Sequence, residues 1–411
     1  MTSEPRVLRP AEWDPWFSCL ERAFGGVESA PESRELWQEL TEHERCLGLW
    51  EGGTCVGTAG AYSFRLTVPG GAAVPTAGVT MVSVAGTHRR RGLLRSMMRR
   101  QLDDVRSWGE PLAVLTASEP AIYGRFGYGA ATLALKLDID TSRVSLEVPP
   151  GTDGVRVRYT DPVAALPACE EVYGRLAAGR PGTPVRQPKW ERAAVVDTAQ
   201  DRAGASPLQC VLAERDGEVT GYATFRVRPD WDRAGPKGTV ALRDLAALDP
   251  ASYAALWRFL FGIDLTSALE TGSRPVDEPL MHLVSDVRRC GAVVQDSLYV
   301  RLVEVGAALE ARAYRTPVDV VLEVEDAFCP WNAGRWHLVA DAKGTATCRR
   351  APDRAPDLEL SVRELGAAYL GGVPFASLAA AGRVREVRPG ALAEVSSAFS
   401  WHVEPWLPHG F

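Results

Sequence analysis

The residues best suited to chemistry lie between positions 87 and 95. Thr87-His88-Arg89-Arg90-Arg91-Gly92 stands between a β-branched run, Thr80-Met81-Val82-Ser83-Val84, and a helical pattern that opens at Leu93-Leu94-Arg95. Three guanidinium groups at a helix N-terminus favour an anion, because free backbone N–H groups and the positive end of the dipole meet there. Gly92 lets the backbone approach a phosphate closely. Taken alone, this short pattern also fits a basic surface at the start of a helix. A second group follows the apolar run Leu112-Ala113-Val114-Leu115-Thr116-Ala117: Ser118-Glu119, then Ile122-Tyr123-Gly124-Arg125-Phe126-Gly127-Tyr128-Gly129. Its tyrosines read either as site groups or as core aromatics of a Gly-rich loop.

Elements that could hold these residues are legible around them. Leu94, Met98 and Leu102 recur at i, i+4 with Leu93 and Met97 beside them, which gives a helix one apolar face to lay on a sheet. Leu47–Trp50, the turn Glu51-Gly52-Gly53 and Cys55–Ala61 read as a β-hairpin. A similar hairpin recurs as Cys210–Ala213, Arg215-Asp216-Gly217 and Val219–Phe225, and the strand Val240–Leu248 again runs into a helix near Ala254. The order of elements predicts a duplicated α/β domain. In the second copy Asp249-Pro250-Ala251-Ser252-Tyr253-Ala254 replaces the arginines and glycine, and Asp249 would repel a pyrophosphate. Pro149-Pro150-Gly151-Thr152-Asp153-Gly154 reads as a linker, and a softer break lies near 290–300. These breaks divide the chain into about 1–150, 155–295 and 296–411. In the last part Ala307–Tyr314 reads as a helix, strands follow at Val318–Val324, Trp336–Ala340 and Cys348–Arg350, and helical stretches recur at Val362–Tyr369, Phe375–Ala381 and Ala391–Phe399.

With 411 residues, 46% of them hydrophobic and 24% charged, the chain is globular, with length for two to four domains. Its net charge of −6 argues against a general nucleic-acid binder, which needs a broad basic surface. No apolar run approaches a membrane span, and no secretory pattern opens the sequence, so a cytoplasmic protein is expected. The 8 cysteines form no C-x-x-C pair and read as reduced core thiols.

Arg89-x-x-Gly92-x-Leu94 resembles the pyrophosphate-binding motif R/Q-x-x-G-x-G/A of the GNAT acyl-CoA N-acetyltransferases, with Leu94 in place of the last Gly or Ala. Tyr123 and the following Gly127-Tyr128 resemble the Y-x-x-x-G-F of that family, with Tyr128 at the Phe position. A closer likeness spans the chain. Leu66–Gly71, Pro75–Gly78, Thr87–Arg95, Ser118-Glu119, Ile122–Gly129, Ala307–Arg312 and the terminal Phe411 resemble the Eis ("enhanced intracellular survival") family of actinobacterial N-acetyltransferases. The resemblance implies an α/β (α+β) fold: a catalytic GNAT domain at 1–150, a degenerate GNAT-like domain at 155–295 and a sterol-carrier-like domain at 296–411. It also implies acetyl-CoA as cosubstrate, no metal, a homohexamer, and acetylation of amines, including aminoglycosides, polyamines and lysine side chains. Backbone groups of Val82, Ser83 and Val84 would bond the pantetheine. Arg89, Arg90, Arg91, Gly92, Leu93, Leu94 and Arg95 would cradle the pyrophosphate, with Ser118 and Glu119 bordering the cofactor.

By the same resemblance Tyr123 is the general acid for the departing thiolate and the α-carboxylate of Phe411 is the general base. A phenol with a pKa near 10 holds its proton at neutral pH, whereas an α-carboxyl near 3.5 is a weak base unless burial raises it or a water relays the proton. Phe24 and Trp37 match aromatic acceptor-pocket positions, Glu28 is a loose candidate for an acid there, and Glu404 and His409 could add polar lining. Gly26 and Gly410 stand where the family can carry acids, which leaves aminoglycoside use open. The alternative is a non-catalytic protein that carries an apolar ligand in its sterol-carrier-like part.

Overall fold

A computed structural model of the chain describes residues 4–411. The expected tandem is present. One large sheet runs, in spatial order, through Arg6–Val7, Leu47–Glu51, Thr54–Thr67, Ala73–Val84, Leu112–Thr116, Leu298–Leu302 and Gly129–Ala130. A second runs through Asp138–Asp140, Thr266–Thr271, Gly238–Ala247, Glu218–Arg228, Gln209–Arg215 and Arg156–Thr160. Each contains one parallel strand pair, Ala73–Val84 with Leu112–Thr116 and Gly238–Ala247 with Thr266–Thr271. A third, five-stranded sheet spans Val318–Glu386.

Both parallel pairs are joined by helices of the expected kind. Leu93–Ser107 buries Leu93, Met97, Met98, Leu102 and Val105 against the first sheet, and Pro250–Phe261 buries Ala251, Leu256, Trp257 and Leu260 against the second. Burying each of the Leu, Met and Val side chains contributes roughly 1.5–3 kcal/mol. The crossovers are what make parallel pairing possible, since two parallel strands cannot be joined by a tight turn.

The chain also trades strands between the two sheets. Leu298–Leu302 follows the whole second unit in sequence, yet it pairs antiparallel with Leu112–Thr116 in the first sheet. Asp138–Asp140 precedes the second unit and pairs with its strand Thr266–Thr271. Pro184–Val185 adds a short pairing to Leu66 and Arg65.

The helix expected over Ala307–Tyr314 is Val305–Ala311 and stops earlier for a physical reason. Arg312 turns inward and is nearly fully buried, donating to the carbonyls of Tyr369 and Phe399 at the ends of two neighbouring helices. A cation there meets the negative end of both helix dipoles. Tyr314, Tyr369, Phe375 and Phe399 fill the space around it. The eight cysteines are reduced and buried, as read from the sequence.

The third sheet is fixed to the first by a buried ion pair. Arg301 of the exchanged strand donates to Asp326 at 2.6 Å, and Asn332 Nδ2 donates to the same carboxylate at 3.1 Å. Removing one partner of such a pair leaves a buried charge, a loss of about 3–5 kcal/mol. Asp326→Ala is therefore expected to lower the thermal midpoint by several degrees in calorimetry, while a change at an exposed helical position such as Asp103→Ala leaves it in place.

Candidate active site in the first sheet

The parallel pairing between Ala73–Val84 and Leu112–Thr116 ends at Gly78 and Val114. Beyond that point Val79–Val84 pair only with the hairpin strand on their other side, Val84 with Gly57 and Ser83 with Thr58. A register shift between Thr58 and Gly60 and a left-handed Met81 (φ 52) give the strand an extra residue there. One edge of Val82, Ser83 and Val84 therefore faces an open V with no strand along it. Ser83 contributes its backbone only, because its hydroxyl is buried 2.8 Å from Thr58 Oγ1.

The V leads to the basic loop. Arg90 (φ 63) and Gly92 (φ 78) are both left-handed, and a Cβ on Gly92 would meet nothing within 4 Å. Glycine is thus needed at 92 for backbone conformation, and the space above it is open to a ligand. No side chain caps the helix Leu93–Ser107, and its first bond runs from Ser96 N–H to the Gly92 carbonyl. The amides of Leu93, Leu94 and Arg95 lack intrahelical partners, as expected for an anion cradle. Arg89, Arg90 and Arg91 surround them, exposed, and among the described residues only Arg91 is tied back, to the Thr87 carbonyl and towards Glu51. His88 bonds Glu51 at 2.9 Å and fixes the approach to the loop. Arg95 differs from its neighbours: its guanidinium lies over Phe328 of the third unit, 5.4 Å from the ring centre. These free amides, open glycine and unpaired strand edge fit an extended phosphorylated thioester.

Tyr123 closes the single-turn helix Pro120–Tyr123, just after the exposed Ser118 and Glu119. Its ring stacks edge-on against the fully buried Tyr128 at 6.0 Å, and no hydrogen bond engages its hydroxyl among the described residues. Burial, then the negative charge of Glu119, pushes its pKa up to about 12. The phenol stays protonated across the biological range. Phe126, three residues on, packs against Phe328 at 5.0 Å, so the third unit braces this turn as well.

The chain terminus arrives where the parallel strands part. Thr80 Oγ1 donates to an α-carboxylate oxygen of Phe411 at 3.1 Å, and the Phe411 ring meets Phe64 edge-on at 5.1 Å. A Cβ on Gly78 would lie 2.5 Å from Phe64 and 3.4 Å from Phe411, so glycine is required where the two strands part. Around the terminus Trp37, Tyr62, Phe64 and Trp190 form an aromatic wall. Trp37 therefore belongs to the cluster that Phe411 joins, whereas Phe24 and Glu28 stand exposed on the loop after the first helix. Glu404 meets the second unit through its backbone, and His409 is wedged between Tyr173, Arg186 and Trp190. Burial, then the Arg186 charge, lowers His409 to about 4, which keeps its ring neutral at neutral pH. Trp190 was absent from the sequence reading, and Thr80 and Gly78 stood in it only as members of a strand and of a family-like stretch, with no role at the terminus. Their role depends on a terminus that meets them across more than 200 intervening residues, and no local pattern encodes that meeting.

The second sheet has the same V but not the same opening. Asp249 accepts hydrogen bonds from the amides of Ala251 and Ser252, both at 3.0 Å, and from the Ser252 hydroxyl. The expected repulsion of a pyrophosphate has a more specific form: this carboxylate already takes the helix amides that a phosphate would need.

Comparison with known proteins agrees with this geometry. Family models for an acetyltransferase (GNAT) domain match residues 4–131 and 182–302, and a sterol carrier protein domain matches 305–408. The chain is 68% identical over 411 residues to an uncharacterized N-acetyltransferase of Streptomyces avermitilis, covering 100% of each. It is 35% identical over 402 residues to the N-acetyltransferase Eis of Mycobacterium tuberculosis, covering 95% of this chain and 94% of that one. The crystal structure of Eis1 from Mycobacterium abscessus superposes with a TM-score of 0.83 at 33% identity, covering 100% of each chain.

Proposed function

The chain belongs to the Eis family of GNAT N-acetyltransferases, and from that premise we propose that it acetylates primary amines using Tyr123 as general acid and the Phe411 carboxylate as general base. The observation that carries this reading is the docking of the terminus on Thr80 at the point where the strands part. Acetyl-CoA supplies the activated acetyl group when bound. The backbone of Val82, Ser83 and Val84 would hold its pantetheine, and the loop Arg89–Arg95 its pyrophosphate.

The Phe411 carboxylate takes a proton from the incoming ammonium, directly or through one water. The freed nitrogen lone pair then attacks the thioester carbonyl. As the carbon–sulfur bond breaks, Tyr123 donates its hydroxyl proton to the sulfur, and the surplus proton of the new amide nitrogen leaves to water, from which the phenolate is reprotonated. An α-carboxylate is a weak base towards an ammonium, so the transfer relies on a relaying water or on desolvation of the ammonium against the aromatic wall of Trp37, Phe64 and Trp190. The same aromatic wall suits a cationic acceptor, since ring faces attract ammonium groups. Aminoglycosides, polyamines and lysine side chains all present that group.

We further propose a cytoplasmic homohexamer. Reduced thiols support the compartment, and Leu133, Val293 and Val294, exposed on a two-stranded ribbon, offer apolar contact surface. Among the described residues no helix is long and apolar enough to cross a membrane.

Thiol release from acetyl-CoA, measured with a panel of polyamines, aminoglycosides and a lysine peptide, tests the reaction. Release with at least one amine is expected; none with any would overturn it. In the same assay Arg90→Ala should raise the acetyl-CoA KM about tenfold, the scale of one lost charge-assisted hydrogen bond. An unchanged KM in both Arg90→Ala and Arg91→Ala would remove the loop from phosphate binding.

A further inference from the structure

The second GNAT-like unit has kept the architecture of a cofactor groove while closing it. Its parallel pair, Gly238–Ala247 with Thr266–Thr271, ends at Leu242 and Thr271, just as the first pair ends at Gly78 and Val114. In the first sheet the edge beyond that point is open. In the second, Arg274 reaches into the V and donates through Nη1 to the Leu245 carbonyl at 2.9 Å, the edge position that a pantetheine amide would otherwise take. Arg274 is nearly fully buried and paired with Glu278 at 2.8 Å. The space that remains is about 170 Å³, below the 300–1,000 Å³ usual for cofactor pockets.

That remnant is covered by the C-terminal tail. The Trp406 ring sits 5.4 Å from the Arg274 guanidinium, and its Nε1 donates to Ser273 Oγ at 3.1 Å. The Ser273 hydroxyl in turn donates to the Leu407 carbonyl at 3.0 Å. Two more bonds fix the same stretch: Arg180 Nη1 to the Glu404 carbonyl at 2.8 Å, and Trp406 N–H to the Pro181 carbonyl at 2.9 Å. All of these partners lie in the second unit. Five residues beyond Trp406, the terminal oxygen is on Thr80 of the first sheet.

We propose that the degenerate domain is a positioning module: its closed cofactor groove is the socket that grips Trp406 and so delivers the Phe411 carboxylate to the active site. Trp406 and Ser273 are positioning residues, which act through Phe411 and touch neither substrate. A short tail held along Glu404–Leu407 has few conformers, so the cost of ordering its last residues is met before the amine arrives. This explains a second domain that retains the V while Asp249 and Arg274 occupy its binding groups.

The proposal rests on the terminal-base reading for its catalytic consequence but not for its structural one, and two readouts separate them. The first is release of Phe411 by a carboxypeptidase, followed by mass spectrometry. The second is kcat with the acetyl-CoA KM. In Trp406→Ala, Phe411 release should accelerate about tenfold as the tail opens more often. In the same variant kcat should fall about tenfold with the KM unchanged. Trp406→Phe, which keeps a ring over Arg274, should recover most of both. Ser273→Ala, which removes one half-buried hydroxyl, should move both readouts in the same direction by less, and it carries the comparison if Trp406→Ala does not fold. Phe411 release as slow as in the unsubstituted protein, in a variant of unchanged thermal midpoint, overturns the socket. Faster release with unchanged kcat leaves the socket standing and removes Phe411 as the base.

Discussion

Tyr123→Phe is expected to lower kcat by at least about 100-fold and leave the acetyl-CoA KM within about twofold, because general-acid catalysis contributes on the order of 10²–10⁴. The substitution removes one oxygen and nothing else the fold uses. The hydroxyl has no hydrogen-bond partner among the described residues, and the ring keeps its edge contact with Tyr128. Thermal stability should therefore be unchanged. A phenol held at about 12 also predicts no fall in rate from its ionisation up to pH 10, since the protonated form dominates until the pH approaches the raised pKa. Steady-state kinetics of the two proteins decide the matter: equal kcat values would leave the thiolate to be protonated by solvent and would remove Tyr123 from the mechanism.

Adding a single glycine after Phe411 is expected to be nearly as damaging, with a loss of about 100-fold in kcat at unchanged stability. The extension converts the carboxylate bonded to Thr80 into an amide, which cannot act as a base, and displaces the new terminus by a residue. The aromatic contact of Phe411 with Phe64 survives, so the protein should melt as before. Full activity in the extended protein would show that the amine loses its proton elsewhere. The pair of variants also divides the chemistry: the extension should abolish the dependence of rate on the terminal carboxylate, and Tyr123→Phe should preserve it.

Much of the active sheet was legible because its signals are local. The hairpin around Glu51-Gly52-Gly53, the apolar spacing from Leu94 to Leu102 and the turn ahead of Tyr123 each declare themselves within a dozen residues. The exchange of Leu298–Leu302 into the first sheet was not legible, since a five-residue strand carries no mark of which neighbour it will pair with. Asp249 shows a subtler limit. Its charge could be read as hostile to phosphate, but its occupation of the amides of Ala251 and Ser252 is a matter of side-chain rotamer. Phe24 and Trp37 looked equivalent as aromatics, yet one is exposed at 60% and the other packs on Trp190 in the cluster that Phe411 joins, because only the helix Pro31–Leu40 is laid against that wall.

The exchanged strand has a consequence for how the protein is made. While the ribosome adds the second unit, the sheet that will carry Tyr123 lacks its neighbour for Leu112–Thr116, and that edge stays unpaired until Leu298–Leu302 has emerged. An unpaired apolar edge is the surface on which nascent chains join one another. The catalytic sheet therefore waits on translation of the domain that follows it, and its synthesis calls for either a fast passage through that interval or a chaperone that covers the edge.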